Sequence, residues 1–434
     1  MQDDYSADSG AISDVESRQA RKSARVKCAL GKCLLTLVAA DAGAAAPSQV
    51  DLSSSEAPDR YTWFVGDQFV YDDNVFRLPT KYISLPGFLA PTASRQDHIE
   101  TVSIGTDDHF QFMRQSVAFE AQIAANYFAR NTFLDNASGS GDAIWNWEFG
   151  DRLSGDAGID YLRQLANSEQ TLFYGKDLVS NTVYYGDASY LLNPDWHVNG
   201  GVRTNETSNS AIQVQINNFH SKSGNVGIEY GPTDGDKIGW EYRYTDARAI
   251  QNPAETGLNY RTYNENTTRV SIEYTIAPKT VVDAYYGYLK RSYPGTTPGA
   301  FSGDIWRAGF TWDATEKTRV NVQAWRDLEA YFDAQSNYFV SKGESISPTW
   351  IVTSKLQLNG TLLWVKQDYI ASNPSFSVLG GRQDSAPTRQ VNAIYNPTRA
   401  VSVTMGYDHE HRSSTQAFFN YEDRLWTLSV RITF

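Results

Sequence analysis

Arg203, Glu241, Arg243, Arg269, Glu273, Asp283, Arg307, Arg319 and Arg431 each stand in a segment where apolar and polar residues alternate. If the apolar residues of such a segment share one face, these charges share the other. Arginines gathered on one wall can hold carboxylates or phosphates bidentately. Tyr285 and Trp325, on the same polar side, offer flat apolar surfaces to sugar rings. The chemistry expected of this set is contact with a passing polar, anionic solute. Glu120, Asn146, Glu148, Asn321 and Gln323 complete the polar face. Its plainest role is a hydrated interior whose acids and bases pair across strands. A one-residue slip of register would send each of them to the opposite face.

Motifs for making or breaking bonds do not occur. There is no Gly-x-Ser-x-Gly elbow, no His-Glu-x-x-His helix and no phosphate loop, so no catalytic residue, metal or cofactor is expected. His409-Glu410-His411 has the ligand types of a metal site, but a solvated strand-end loop is the simpler reading. Asp72-Asp73-Asn74 offers oxygens to calcium and reads first as a turn cluster. Asp327 and Glu329 are the carboxylate pair a barrel enzyme would need. Trp325 beside Arg326 admits two readings. One is an interface aromatic next to a rim arginine. The other is a rim site where Trp325 stacks on a sugar and Arg326 holds its acid group.

The elements that must position these groups are strands. Val117, Phe119, Ala121, Ile123, Ala125 and Tyr127 alternate with polar residues across Arg114–Phe128. The same period of two runs through Ala143–Phe149, Leu153–Tyr161, Lys237–Thr245 and Arg269–Ile276. It ends in Trp426, Leu428, Val430, Ile432 and Phe434 against Thr427, Ser429, Arg431 and Thr433. Connections alternate in length. Short turns fall at Gly150-Asp151, Asn193-Pro194-Asp195, Ala277-Pro278-Lys279, Ala314–Lys317 and Asn396–Arg399. Longer polar segments fall at Ala129–Asp142, Ala166–Ser180, Ala247–Asn264, Tyr293–Phe301 and Ile370–Ala386. Short turns on one side and long loops on the other are the pattern of an antiparallel up-and-down transmembrane β-barrel. The count is about sixteen to eighteen strands, best fitted by eighteen, with both termini periplasmic. Asn181–Leu192 and Ser210–Glu229 alternate weakly.

Composition agrees with an all-β membrane barrel. The chain has 26 Tyr and 11 Trp, yet its mean hydropathy is −0.47. Aromatic girdles around a polar lumen produce that pairing. No run approaches the ~20 apolar residues of a spanning helix. A net charge of −12 argues against nucleic acid. Residues 1–46 read as leader and signal peptide. Arg21, Lys22, Arg25 and Lys27 precede the apolar run Leu34–Ala40 and small residues that suit cleavage near Ala44. Lys32 interrupts that region, and the acidic stretch before it suggests a true start near residue 26. Cys28 and Cys33 both fall in this leader, so the mature chain has no disulfide. Residues 47–60 read as a short periplasmic tail and 61–434 as the barrel.

Several motifs in order carry a resemblance. Tyr71-Asp72-Asp73-Asn74-Val75-Phe76-Arg77-Leu78 resembles the first-strand motif of exosortase/PEP-CTERM-associated exopolysaccharide-biosynthesis outer-membrane proteins, the EpsL type. Gly150-Asp151-Arg152-Leu153-Ser154-Gly155, Ala324–Tyr331 followed by Pro348-Thr349-Trp350, Tyr395–Arg399 and the terminal Phe434 are similar to later parts of that family. The resemblance implies a bacterial outer-membrane barrel that acts in exopolysaccharide biosynthesis, as a conduit or accessory for polymer export. It also implies exopolysaccharide, outer-membrane lipid and lipopolysaccharide, and periplasmic export components as partners. The strand ending at Phe434 is expected to meet the barrel assembly machinery. A general or small-solute porin is the alternative. A barrel enzyme acting on polysaccharide or lipid, and an adhesive barrel with a plugged lumen, stand behind it.

Overall fold

In a membrane every backbone N–H and C=O must find a partner within the protein, so a sheet must close on itself. The structure, a computed structural model, describes residues 60–79, 93–167, 173–233, 236–250, 262–293, 300–330, 336–371 and 381–434. The strands are β1 (Arg60–Asp72), β2 (Asp97–Phe112), β3 (Gln115–Phe128), β4 (Asn136–Phe149), β5 (Leu153–Leu165), β6 (Leu178–Asn193), β7 (Trp196–Asn209), β8 (Phe219–Thr233) and β9 (Asp236–Ala249). They continue as β10 (Tyr263–Ala277), β11 (Thr280–Ser292), β12 (Phe301–Thr315), β13 (Thr318–Ala330), β14 (Ser336–Thr353), β15 (Leu356–Ala371), β16 (Gln383–Tyr395), β17 (Val401–Ser414) and β18 (Tyr421–Thr433). Each pairs antiparallel with the next, and β1 pairs with both β2 and β18, so the 18-stranded sheet is closed. The signal segment, both cysteines, residues 47–59 of the tail and Tyr331 fall outside the described residues, and Arg60 already belongs to β1.

The alternation places the aromatics outside. Phe119, Ile123 and Tyr127 on β3, Ile238, Trp240, Tyr242 and Tyr244 on β9, and Trp426, Leu428, Val430 and Ile432 on β18 are all exposed, as a lipid-facing wall requires. Strand β4 reaches further than expected. β4 begins at Asn136, inside a stretch read as loop, because its outward residues there are Ala137, Gly139 and Gly141. Such small residues hide the period. β6 and β8, where alternation is weak, form nonetheless. Gly150, with φ of 64°, supplies the left-handed residue of the β4–β5 turn.

Apolar burial concentrates at the long-loop end. Phe76, Phe128, Leu134 and Tyr174 form one cluster, and burial pushes the Tyr174 phenol up. A second cluster joins Tyr263, Leu289, Tyr293 and Ile305 to Leu328, Tyr338 and Val340.

The closing seam explains the first motif. Asp72 ends β1, and Arg77 turns back in a left-handed conformation with φ of 54°. Its Nη1 is 3.0 Å from Asp72 Oδ2 and its Nη2 is 3.0 Å from Asp423 Oδ2 on β18. Asn74 Nδ2 donates to the Glu422 carbonyl at 2.9 Å, and Arg424 N donates to Asp73 Oδ1 at 2.9 Å. Phe434 N donates to the Trp63 carbonyl at the other end of the seam. Asp72, Asp73 and Asp423 come within reach of a single cation. The Arg77 guanidinium already occupies that position toward Asp72 and Asp423, so the motif fastens the first strand to the last.

Candidate lumen site

Strand register decides which polar residues share the inner wall. Asp107, Glu120, Asp142 and Asp160 stand directly opposite one another on β2, β3, β4 and β5. Asp156 on β5 opposes Asp187 on β6 in the same way. This arc of six acids occupies the middle of five adjacent strands. Of them only Glu120 is legible as a lumen residue from sequence. Asp142 falls in a stretch read as loop, and Asp156 and Asp160 alternate with outward Gly155, Ala157 and Ile159. The usable signal was the even spacing of acids between small residues.

Arginines take over on the next strands. Arg203 on β7 opposes Tyr185 on β6, its guanidinium 5.5 Å from the ring centroid. Arg269 on β10 opposes Glu241 on β9. Glu241 holds two arginines at once, Arg243 Nη2 and Arg269 Nη2 each at 3.1 Å. Arg269 also approaches the Tyr285 ring at 5.4 Å. Arg307 on β12 stands between Tyr285 on β11 and Trp325 on β13, 6.0 Å from the Trp325 ring. Arg203, Arg243, Arg269 and Arg307 thus form a lane across β7–β12, with aromatic rings spacing the cations. The Arg243 and Arg269 side chains remain 26% and 17% exposed. One acidic ion-pair partner shared by two cations leaves net positive charge for a solute to meet.

The other sequence candidates divide. Glu273, opposite Asp283, lies on the inner wall nearer the short turns. Arg319 is also turn-side, with Nε 2.6 Å from Asp313 Oδ1. Arg431 belongs to the seam, stacked 3.5 Å from the Phe64 ring centroid. None of these four joins the lane. Asn146 and Asn321 face inward and bond to Ser116 and Thr311.

Trp325 and Arg326 require correction. They do not form a shared rim site, and Trp325 is not an interface aromatic. Trp325 faces inward and is only 6% exposed, its ring over Gly343 where any Cβ would collide with it. Arg326 points to the outer wall, opposite Trp306, with Nη1 3.3 Å from Asp304 Oδ1. Consecutive strand residues cannot serve one solute. His409-Glu410-His411 is likewise inside β17 and not in a loop. His409 meets Glu422 at 3.1 Å, whereas Glu410 faces inward and accepts the Tyr421 hydroxyl at 2.6 Å. Asp327 accepts the Tyr285 hydroxyl at 3.1 Å and the Leu328 amide at 2.8 Å, so it braces the wall above the lane.

At the long-loop end the inner wall is sealed by a different arginine set. Asp384 receives Arg382 Nη2 at 2.6 Å and Arg412 Nη2 at 2.5 Å. Arg412 reaches Gln367 and the Tyr369 hydroxyl, and Arg382 stacks 3.4 Å from the Phe419 ring centroid.

The model of the family described as "Putative beta-barrel porin 2" matches residues 244–434, from β9 to the last residue. No curated protein matches the chain. Among solved structures, Pseudomonas aeruginosa OccK9 (OpdG) is similar at 10% identity and a TM-score of 0.46, covering 87% of this chain and 98% of that one. The outer membrane protein OpdK of the same organism is similar at 8% identity and a TM-score of 0.46, covering 86% and 99%. Acinetobacter baumannii OccAB3 is similar at 8% identity and a TM-score of 0.44, covering 86% and 99%. A closed barrel of eighteen antiparallel strands, apolar outside and charged within, whose C-terminal part fits a porin family, is a protein of the bacterial outer membrane.

Proposed function

We propose that the barrel is a porin that passes small polar solutes and favours anions along the arginine lane. The observation that carries this reading is the lane itself, Arg203, Arg243, Arg269 and Arg307 on one arc of the inner wall beside an arc of carboxylates. Such a wall attracts, holds loosely and releases, because each cation is already partly offset by an acid or a ring. The polar groups are arranged for contact, and no nucleophile with a base at its side enters the reading, which is of a channel and not an enzyme.

The test is conductance of the purified full chain in planar bilayers. The reading expects ohmic channels whose reversal potential in a salt gradient reports anion preference. Silent bilayers would sink it.

Export of an exopolysaccharide is the second reading, supported by the order of motifs from Tyr71–Leu78 to Phe434. It is less favoured because Trp325, the aromatic best suited to a sugar ring, is covered. Deleting the gene separates the readings. Polymer trapped in the periplasm supports export, and normal polymer in the medium supports the porin.

A further inference from the structure

Outside the lumen, three cations stand side by side on the outer wall. Arg326 on β13 is directly opposite Lys342 on β14, and Lys342 is directly opposite Lys366 on β15. Trp306 on β12 extends the row on one side and Ser385 on β16 on the other. The row marks an edge. Toward the short turns the outward residues are Val322 on β13, Ile346 and Trp350 on β14, and Trp364 and Leu362 on β15, all exposed and broken only by Glu344. Toward the long loops the next outward positions are Leu328 on β13 and Val340 on β14, both buried, beside the charged Asp304 on β12 and Asp368 on β15. The cations therefore sit where the exposed apolar surface of β13–β15 ends on the loop side, which is the outer leaflet.

Like charges directly opposite on neighbouring strands repel. Two acids offset them from the flanks, Asp304 at 3.3 Å from Arg326 and Asp368 at 3.6 Å from Lys342. Both are loose beside the tight pairs of the inner wall, such as Arg291 with Glu265 at 2.6 Å and Arg382 with Asp384 at 2.6 Å. Glu344 sits one row nearer the turns, opposite Trp364. Among the described residues no ion pair involves Lys366. Lys342 is 53% exposed, and lysine stems can carry their ammonium groups along an apolar wall to the headgroup layer.

The geometry points to a binding site for the phosphate groups of a phosphorylated glycolipid in the outer leaflet, held by Lys342 and Lys366 with Arg326 beside them. Three donors in a row match the spread-out charge of a lipid carrying more than one phosphate. Trp306 and Trp364 border the row at the level where aromatic rings favour the boundary between acyl chain and headgroup. A lipid fits better than free phosphate because the row opens sideways onto the bilayer, above a surface that only acyl chains can cover. The site is independent of whatever passes through the lumen.

Native mass spectrometry of the detergent-purified full chain tests it, with three probes: phosphorylated lipid A, dephosphorylated lipid A and inorganic phosphate. The wild type should retain the phosphorylated lipid. K342Q/K366Q should bind it roughly twenty-five-fold more weakly, at about five-fold for each lysine removed. K342R/K366R, which keeps both charges, should retain it, and conductance should be equal in all three proteins. Equal binding of both lipids, undiminished binding by K342Q/K366Q, or inorganic phosphate binding as well as the lipid would each overturn the proposal.

Discussion

Two sets of inward arginines show how one side chain can either close a wall or line a path. Arg77, Arg382 and Arg412 at the loop end are 4%, 3% and 0% exposed and are fastened to carboxylates on two different strands or to ring faces. Arg243 and Arg269 in the middle of the barrel share one carboxylate at 3.1 Å and keep part of their surface open. The difference is burial and the number of further partners, since Asp384, like Glu241, is shared by two arginines. Where neighbouring amides, hydroxyls and rings also cover the guanidinium, as at Arg382 and Arg412, it becomes a rivet. Where it keeps an open face, as at Arg243 and Arg269, it stays available to something that moves.

That contrast should be visible in single substitutions. Arg412→Ala leaves Asp384 buried with half its compensation, and breaking a buried pair costs about 3–5 kcal/mol. The urea midpoint in micelles should fall accordingly while ion selectivity is retained; an unmoved midpoint would refute the rivet. Arg77→Ala removes the group shared by Asp72 and Asp423 and should cost about 3 kcal/mol. Because the loss is at the seam, heat-modifiable gel mobility should be lost at a lower temperature. Arg243→Ala should do the reverse of Arg412→Ala. Stability should change by less than about 1 kcal/mol, as for a partly solvated pair, while the anion-to-cation permeability ratio falls several-fold. Unchanged selectivity would remove Arg243 from the path. Arg326→Ala, on the outer wall, is the smallest perturbation, at about 0–1 kcal/mol with no effect on selectivity. A selectivity change there would mean the face assignment is inverted.

The strands and their faces were legible because aromatic residues recur with period two and loop lengths alternate. Legibility failed wherever the outward residues are glycine and alanine, as along β4 and β5, and with it went three of the six acids of the inner arc. It failed again where a side chain's fate depends on a residue across the sheet. Parity alone puts Trp325 inward, but only Gly343 on the neighbouring strand lets the ring lie flat and covered. The Tyr71–Leu78 motif was visible as a motif, yet its purpose needs Asp423, a residue no local spacing connects to it.

The seam has a kinetic consequence. Arg424 and Asp73, which bond across it, are 351 residues apart in the chain. Every other strand pairs with its immediate successor, so seventeen hairpin contacts can form locally before the ring is joined. Closing the ring carries the largest entropic penalty of any contact in the molecule. Until then two strand edges stand open, each a template for the wrong partner. The Arg77 clasp stabilises only the joined state, so its interactions come too late to speed the search and instead slow the reopening. On this view the motif shared at the first strand sets the lifetime of the finished ring.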